Sequence, residues 1–175
     1  MTSMVEQRNH NPLVSGSQNS MVFRKMSIII QEIAFGTPLY ESSKELREKV
    51  LRRPLQLELS HTDLRGEEDQ IHIAVVQNST NVLGTVLLKP LNENDVKLRQ
   101  MAVDNSLQGQ GYGRPLIEFA ERLAAQRHFK RIEMHARLSA LKFYEKLGYR
   151  IVGESFTEVT VPTIQMVKNL DAVSN

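Results

Sequence analysis

The hexapeptide Gln108-Gly109-Gln110-Gly111-Tyr112-Gly113 constrains this chain more than any other feature. It lies between a β-rich run ending at Val103 and the segment Gly113 to Arg127, where Leu116, Phe119, Ala120, Leu123 and Ala124 share one helical face. Three glycines in five positions admit φ > 0 and close backbone approach, so successive amide N–H groups can converge at a helix N-terminus. Such a turn suits a phosphate, and it also serves as a plain flexible connection. A P-loop is excluded, because Gly113 is followed by Arg114-Pro115 and not by Lys-Ser/Thr. A dinucleotide fingerprint starting at Gly109 needs glycine at 114 and meets Arg114, although Glu133 stands near the distance of a ribose-binding acid. Arg114 also sets a cation against the helix macrodipole: either an anion sits nearby, or this is a solvated surface arginine whose repulsion is small.

The flanking patterns define the elements around that turn. Ser27 to Ala34 reads as a strand. Thr37 then caps a helix with Pro38 in its first turn, and Leu39, Leu46, Val50 and Leu51 recur at helical spacing until Pro54. Residues 55–69 stay open, with Leu55, Leu57 and Leu59 alternating before a charged stretch. Ile71 to Gln77 and Val82 to Lys89 form a hairpin about Asn78-Ser79-Thr80-Asn81, and Val96 to Val103 extends it into a meander. Arg131 to Ala136 is a fifth strand. Ser139 caps a short helix presenting Ala140, Phe143 and Leu147 and ended by Gly148, before closing strands at Tyr149 to Ser155 and Thr163 to Lys168. The order β-α-β-β-β-α-β-α-β-β predicts an α/β fold: a single-domain mixed, largely antiparallel central sheet with helices on both faces. A meander upstream of the glycine turn disfavours a dinucleotide domain, whose fingerprint opens its first βαβ unit.

Composition sets the outer bounds. A chain of 175 residues holds one core. Residues 1–25, rich in Ser, Asn and Gln without period, read as a disordered leader, and 26–171 as the domain. With no cysteine there is neither a disulfide nor a thiolate metal site. Apolar runs such as Ile28-Ile29-Ile30 fall far short of the roughly 20 residues of a membrane helix. Without a charged start and apolar stretch, the expected compartment is the cytoplasm. A net charge of +2 argues against nucleic acid, and Arg127-His128-Phe129-Lys130-Arg131 reads as a solvated helix end. His10, His61, His72 and His128 lack zinc-site spacing, so no metal is expected.

Three segments in this order carry a resemblance: Leu98-Arg-Gln-Met-Ala-Val103, then Gln/Arg-x-x-Gly-x-Gly/Ala as Gln108 to Gly113, then Ala140-Leu-Lys-Phe-Tyr-Glu-Lys-Leu-Gly-Tyr149. Together they resemble the GNAT superfamily of acetyl-CoA-dependent N-acetyltransferases, over about Ile28 to Leu170. The resemblance implies acetyl-CoA as cofactor, its pyrophosphate on Gln108, Gly109, Gln110, Gly111, Tyr112, Gly113 and Arg114. It implies a pantetheine arm beside the fourth strand at Met101, Ala102 and Val103, entering where strands four and five part. Tyr144 matches the family tyrosine near the thioester sulfur; read by itself it is a core aromatic.

The chemistry so implied is direct attack of a neutral amine on the acetyl carbonyl. It needs a donor for the oxyanion, for which a backbone N–H at Met101 is suited, and a proton for the departing thiolate, for which Tyr144 is suited. His135 and Glu158 are the candidate bases; a hydrogen-bonded strand histidine and a solvated carboxylate are the alternatives. His135-Ala136-Arg137 and Phe156 to Met166 look like the ElaA-like branch, with Thr160 and Thr163 where that branch has glycine and histidine. The acceptor implied is a primary amine of a small molecule or peptide, and a homodimer is compatible. A non-catalytic acetyl-CoA-binding module and a dinucleotide-dependent oxidoreductase stand as the alternatives.

Overall fold

Thr37 starts the first helix as its position dictates: its Oγ1 accepts from the Tyr40 N–H at 3.4 Å, and Pro38 occupies the first turn. The computed structural model describes residues 27–170, so the expected leader over 1–25 lies outside the described residues. Helix α1 (Pro38–Arg47) buries Tyr40, Ser43, Leu46 and Arg47, then runs on as a wide turn over Glu48–Arg52 and a tight one over Arg53–Leu55, where Pro54 prevents continuation. The open segment resolves into α2 (His61–Leu64) and a single turn at Glu67–Asp69. A capping box decides it: Ser60 Oγ accepts from the Asp63 N–H, and the Asp63 carboxylate accepts from the Ser60 N–H. The alternating leucines before it make no strand, and Leu57 is left exposed.

Seven strands form one sheet: β1 (Ile28–Ile33), β2 (Ile71–Gln77), β3 (Asn81–Pro90), β4 (Asp95–Val103), β5 (Arg131–Arg137), β6 (Arg150–Glu158) and β7 (Val161–Asn169). Their order is β1-β2-β3-β4-β5-β7-β6, and every neighbouring pair is antiparallel except β4 with β5. That parallel pair needs a crossover, supplied by α3 (Gly113–Gln126). The short α4 (Leu141–Glu145) follows β5. A sheet with one parallel pair is not a dinucleotide-binding domain, whose halves are parallel βαβαβ units, so the oxidoreductase alternative fails on topology.

Two apolar layers cover the sheet. On one face Leu116, Ile117, Ala120 and Ala124 of α3, all fully buried, pack over Val96, Leu98, Ile132, Met134 and Met166. On the other, Leu46 of α1 meets Ala74, Val76 and Ala102.

Two irregularities position the site. First, β4 and β5 share register only from Asp95 opposite Arg131 to Leu98 opposite Met134; beyond that the strands part. Second, β4 carries a bulge against β3: Thr85 faces Ala102 and Leu87 faces Arg99, so β4 uses one residue more. Gln100 absorbs it at φ 51°. Because side chains alternate with period two, the extra residue exchanges the faces. Leu98, Met101 and Val103 pack with the α3 layer, whereas Ala102 packs with α1.

Candidate active site

The glycine turn leaves donors unused. Gly109 and Gly111 sit at φ 77° and 83°, conformations that only glycine adopts without strain. Gly113 serves a different purpose: a Cβ there would lie 3.2 Å from Phe143 Cζ and 3.3 Å from Met101 Cε, so its absence brings the start of α3 against β4 and α4. The Gln108 and Gln110 amides bond within the turn, to the Asp104 and Leu107 carbonyls. Those of Gly109, Gly111, Tyr112, Gly113 and Arg114 have no hydrogen-bond acceptor among the described residues, and no side chain caps α3. Arg114 pairs with Glu118 in an exposed contact at 3.4 Å.

The loop is anchored at its entry. Asp104 accepts from Lys49 Nζ at 2.7 Å and from the Ser106 N–H at 2.9 Å, and the lysine contact first of all pulls its carboxyl down to about 2. Gln108 Nε2 donates to the Val103 carbonyl at 3.1 Å, so a ligand bonding that carbonyl must share it or displace the amide.

Where β4 and β5 part, the β5-facing edge of β4 past Leu98 has no strand partner among the described residues. Tyr144, 7% exposed, reaches this edge from α4 and donates its hydroxyl to Met101 Sδ at 3.2 Å. Burial pushes that hydroxyl up to about 12, so it holds its proton at neutral pH.

His135 and Glu158 meet on the opposite face, with His135 Nδ1 2.9 Å from Glu158 Oε1. Glu158 closes β6 as its last residue and is not in a loop. Phe156 packs edge-on against the imidazole at 5.0 Å. Lys97, from β4, brings Nζ to 3.2 Å from each ring nitrogen, and burial lowers its pKa from the usual lysine value. The structure thus brings His135 and Glu158 together, and keeps Tyr144 on the α3 and α4 side of the sheet.

Sequence reasoning missed the rest of this polar face. Lys97 and Arg99 on β4, and Arg137 on β5, share it, a placement that alternation along each strand could have found. The ion pair beneath could not be found that way. Arg47 and Glu67, both with fully buried side chains, pair at 2.6 Å; Arg47 also donates to Gln100 Oε1 at the bulge, and Tyr40 donates to Glu67. Thr163, at the position where the resembled branch has histidine, is buried and donates to the Val161 carbonyl.

A mixed sheet opened along its parallel pair, with uncommitted amides on the helix behind the opening, is the fold of the GNAT acyltransferases. The family model described as acetyltransferase (GNAT) family matches residues 37–149, and the chain belongs to that family. N-acetyltransferase 8B of Homo sapiens is 29% identical over 93 residues, 49% of this chain and 41% of that protein. A Bacillus subtilis relative, 30% identical over 76 residues, is covered over 52% of its length and 43% of this chain. The chain therefore spans about half the length, or less, of these curated relatives. ElaA of Escherichia coli shares the fold at TM-score 0.70 and 18% identity, over 80% of this chain and 99% of its own. A GNAT family acetyltransferase from Elizabethkingia anophelis, solved with acetyl-CoA bound, does so at 0.64 and 19%, over 82% and 98%. Among the described residues no helix is long and apolar enough to cross a membrane.

Proposed function

We propose that this chain is an N-acetyltransferase that moves the acetyl group of acetyl-CoA directly onto a primary amine of a small molecule or peptide, both partners being bound together. The observation that carries this reading is the meeting of two sets of backbone groups at one opening: the amides of Gly109 and Gly111 to Arg114, without acceptors among the described residues, and the β5-facing edge of β4 past Leu98, where Gln108 Nε2 engages the Val103 carbonyl. Diphosphate and an extended amide-bearing arm are complementary to those two sets.

Bound acetyl-CoA would supply a thioester, an acyl group already activated, so positioning performs much of the work. The turn would hold the diphosphate, and a Met101 N–H would face the oxyanion as it develops. Tyr144 would protonate the departing sulfur. On the other face His135, with Glu158 behind it, would receive the amine proton. The acting unit would be residues 26–171, in the cytoplasm.

A second reading, a module that binds acetyl-CoA without turnover, draws on Thr163, whose hydroxyl is already spent on the Val161 carbonyl. Two measurements separate the readings. Calorimetric titration with acetyl-CoA should show binding, and thiol release with a panel of amines should show turnover. Binding without thiol release from any amine leaves the module; no binding removes both.

A further inference from the structure

The charged groups on the α1 face of the opening can be accounted for one by one. Arg47 pairs with Glu67, Arg52 pairs with Asp63 at 2.7 Å, and His135 faces Glu158 with Lys97 against its ring. Glu133 accepts from Gln165 at 3.5 Å. Two guanidinium groups remain. Arg99 donates to Gln70 Oε1 at 3.3 Å and to the Asp63 carbonyl at 3.2 Å, and Arg137 donates to the Leu51 carbonyl at 3.2 Å. Neither has a carboxylate ion-pair partner among the described residues.

Both side chains are half-buried, and burial works against their charge, which a guanidinium nevertheless keeps. The acids that favour Arg99's charge from farther away, Glu67, Asp63 and Glu158, are each engaged by another cation or by His135. Around Arg137 the charge that acts is Arg52, a second cation. The two arginines stand on opposite banks of the opening, one on β4 past its last pairing with β5, the other at the end of β5. They face the side on which His135 and Glu158 meet. A half-buried fork of N–H donors with only neutral acceptors is the arrangement that a planar oxyanion completes.

We propose that the amine acceptor carries a carboxylate, seated on Arg137 and Arg99, so that the enzyme acts on amino carboxylates in preference to neutral amines. This rests on the acetyltransferase reading above, and deepens it by naming the acceptor's class. The amine end then lies toward His135 and Glu158, and the carboxylate end toward the arginines.

The test pairs turnover with binding. Thiol release is measured with glycine, β-alanine and γ-aminobutyrate, each against its carboxamide. Binding of the three N-acetylated acids and their carboxamides is measured by calorimetry, which needs no turnover. At least one acid should exceed its amide about tenfold or more in kcat/KM and in affinity. Arg137→Gln should bring that ratio to within about threefold of one, chiefly through KM, and Arg99→Gln should do so in part. Acids that neither react nor bind better than their amides overturn the proposal, as does a preference that survives both substitutions. Thiol release from amides and acids alike would overturn it while leaving the acetyltransferase reading intact. Selective acid binding without thiol release from any amine of the wider panel would support the anion site and remove the acetyltransferase reading.

Discussion

His135 Nδ1 lies 2.9 Å from Glu158 Oε1 although their strands, β5 and β6, are not neighbours: β7 runs between them. A carboxylate oxygen accepts, so the tautomer that bonds Glu158 carries its hydrogen on Nδ1 and its lone pair on Nε2. Lys97 Nζ stands 3.2 Å from that nitrogen. Nζ is equally close to Nδ1, so it lies off the axis of the Nε2 lone pair. His135→Gln should lower kcat about 10²-fold with affinity for acetyl-CoA unchanged, and Glu158→Gln should lower it less. Steady-state kinetics with the best acceptor checks this, and an unaltered kcat in His135→Gln would move the base elsewhere.

Tyr144 should act through its hydroxyl alone. Phenylalanine keeps the ring packed between Phe143 and Tyr149 and removes the donor to Met101 Sδ. Tyr144→Phe is expected to reduce kcat about 10²-fold, with the dissociation constant for acetyl-CoA within a factor of about three. Turnover equal to the parent would exclude the tyrosine as the acid.

Gly111→Val should damage ligand binding more than folding. The residue sits at φ 83°, which costs a side-chain-bearing residue about 1–2 kcal/mol, yet a Cβ there meets nothing within 4 Å. An exposed turn releases that strain by changing shape, which scatters the amides. Acetyl-CoA affinity should fall by about fivefold to thirtyfold, with a melting temperature only a few degrees lower. Calorimetry and thermal unfolding measure the two effects separately.

The Arg47–Glu67 pair should show a large asymmetry between single and double replacement. Each single change leaves a buried charge alone, so Arg47→Met or Glu67→Leu should cost about 3–5 kcal/mol in urea unfolding. The double variant Arg47→Met/Glu67→Leu should recover part of that loss. It should not recover full turnover, because Gln100, which forms the β4 bulge, has lost its Arg47 donor. Additive losses in the double variant would show that the two side chains do not act as a pair.

Most of the elements were legible because their signals are local. Thr37-Pro38 opens α1, Gly148 closes the turn after α4 at φ 90°, and alternation marks β4 and β5. The glycine turn was legible for the same reason, since φ > 0 is a property of the residue itself. Residues 55–69 were not, because three alternating leucines match a strand while a four-residue capping box, easily overlooked, starts a helix.

The sequence by itself determined which segments become strands and helices, and which turn offers bare amides, since periodicity, caps and glycine act within a few residues of one another. Only the tertiary structure decided what those elements enclose. β7 enters between β5 and β6, β4 parts from β5 after Leu98, and Gln100 bulges, and these together set Tyr144 on one face and His135 with Glu158 on the other. Each is a pairing between residues distant along the chain, settled by the competition of strands for neighbours and by buried contacts such as Arg47 with Glu67, which local patterning does not encode.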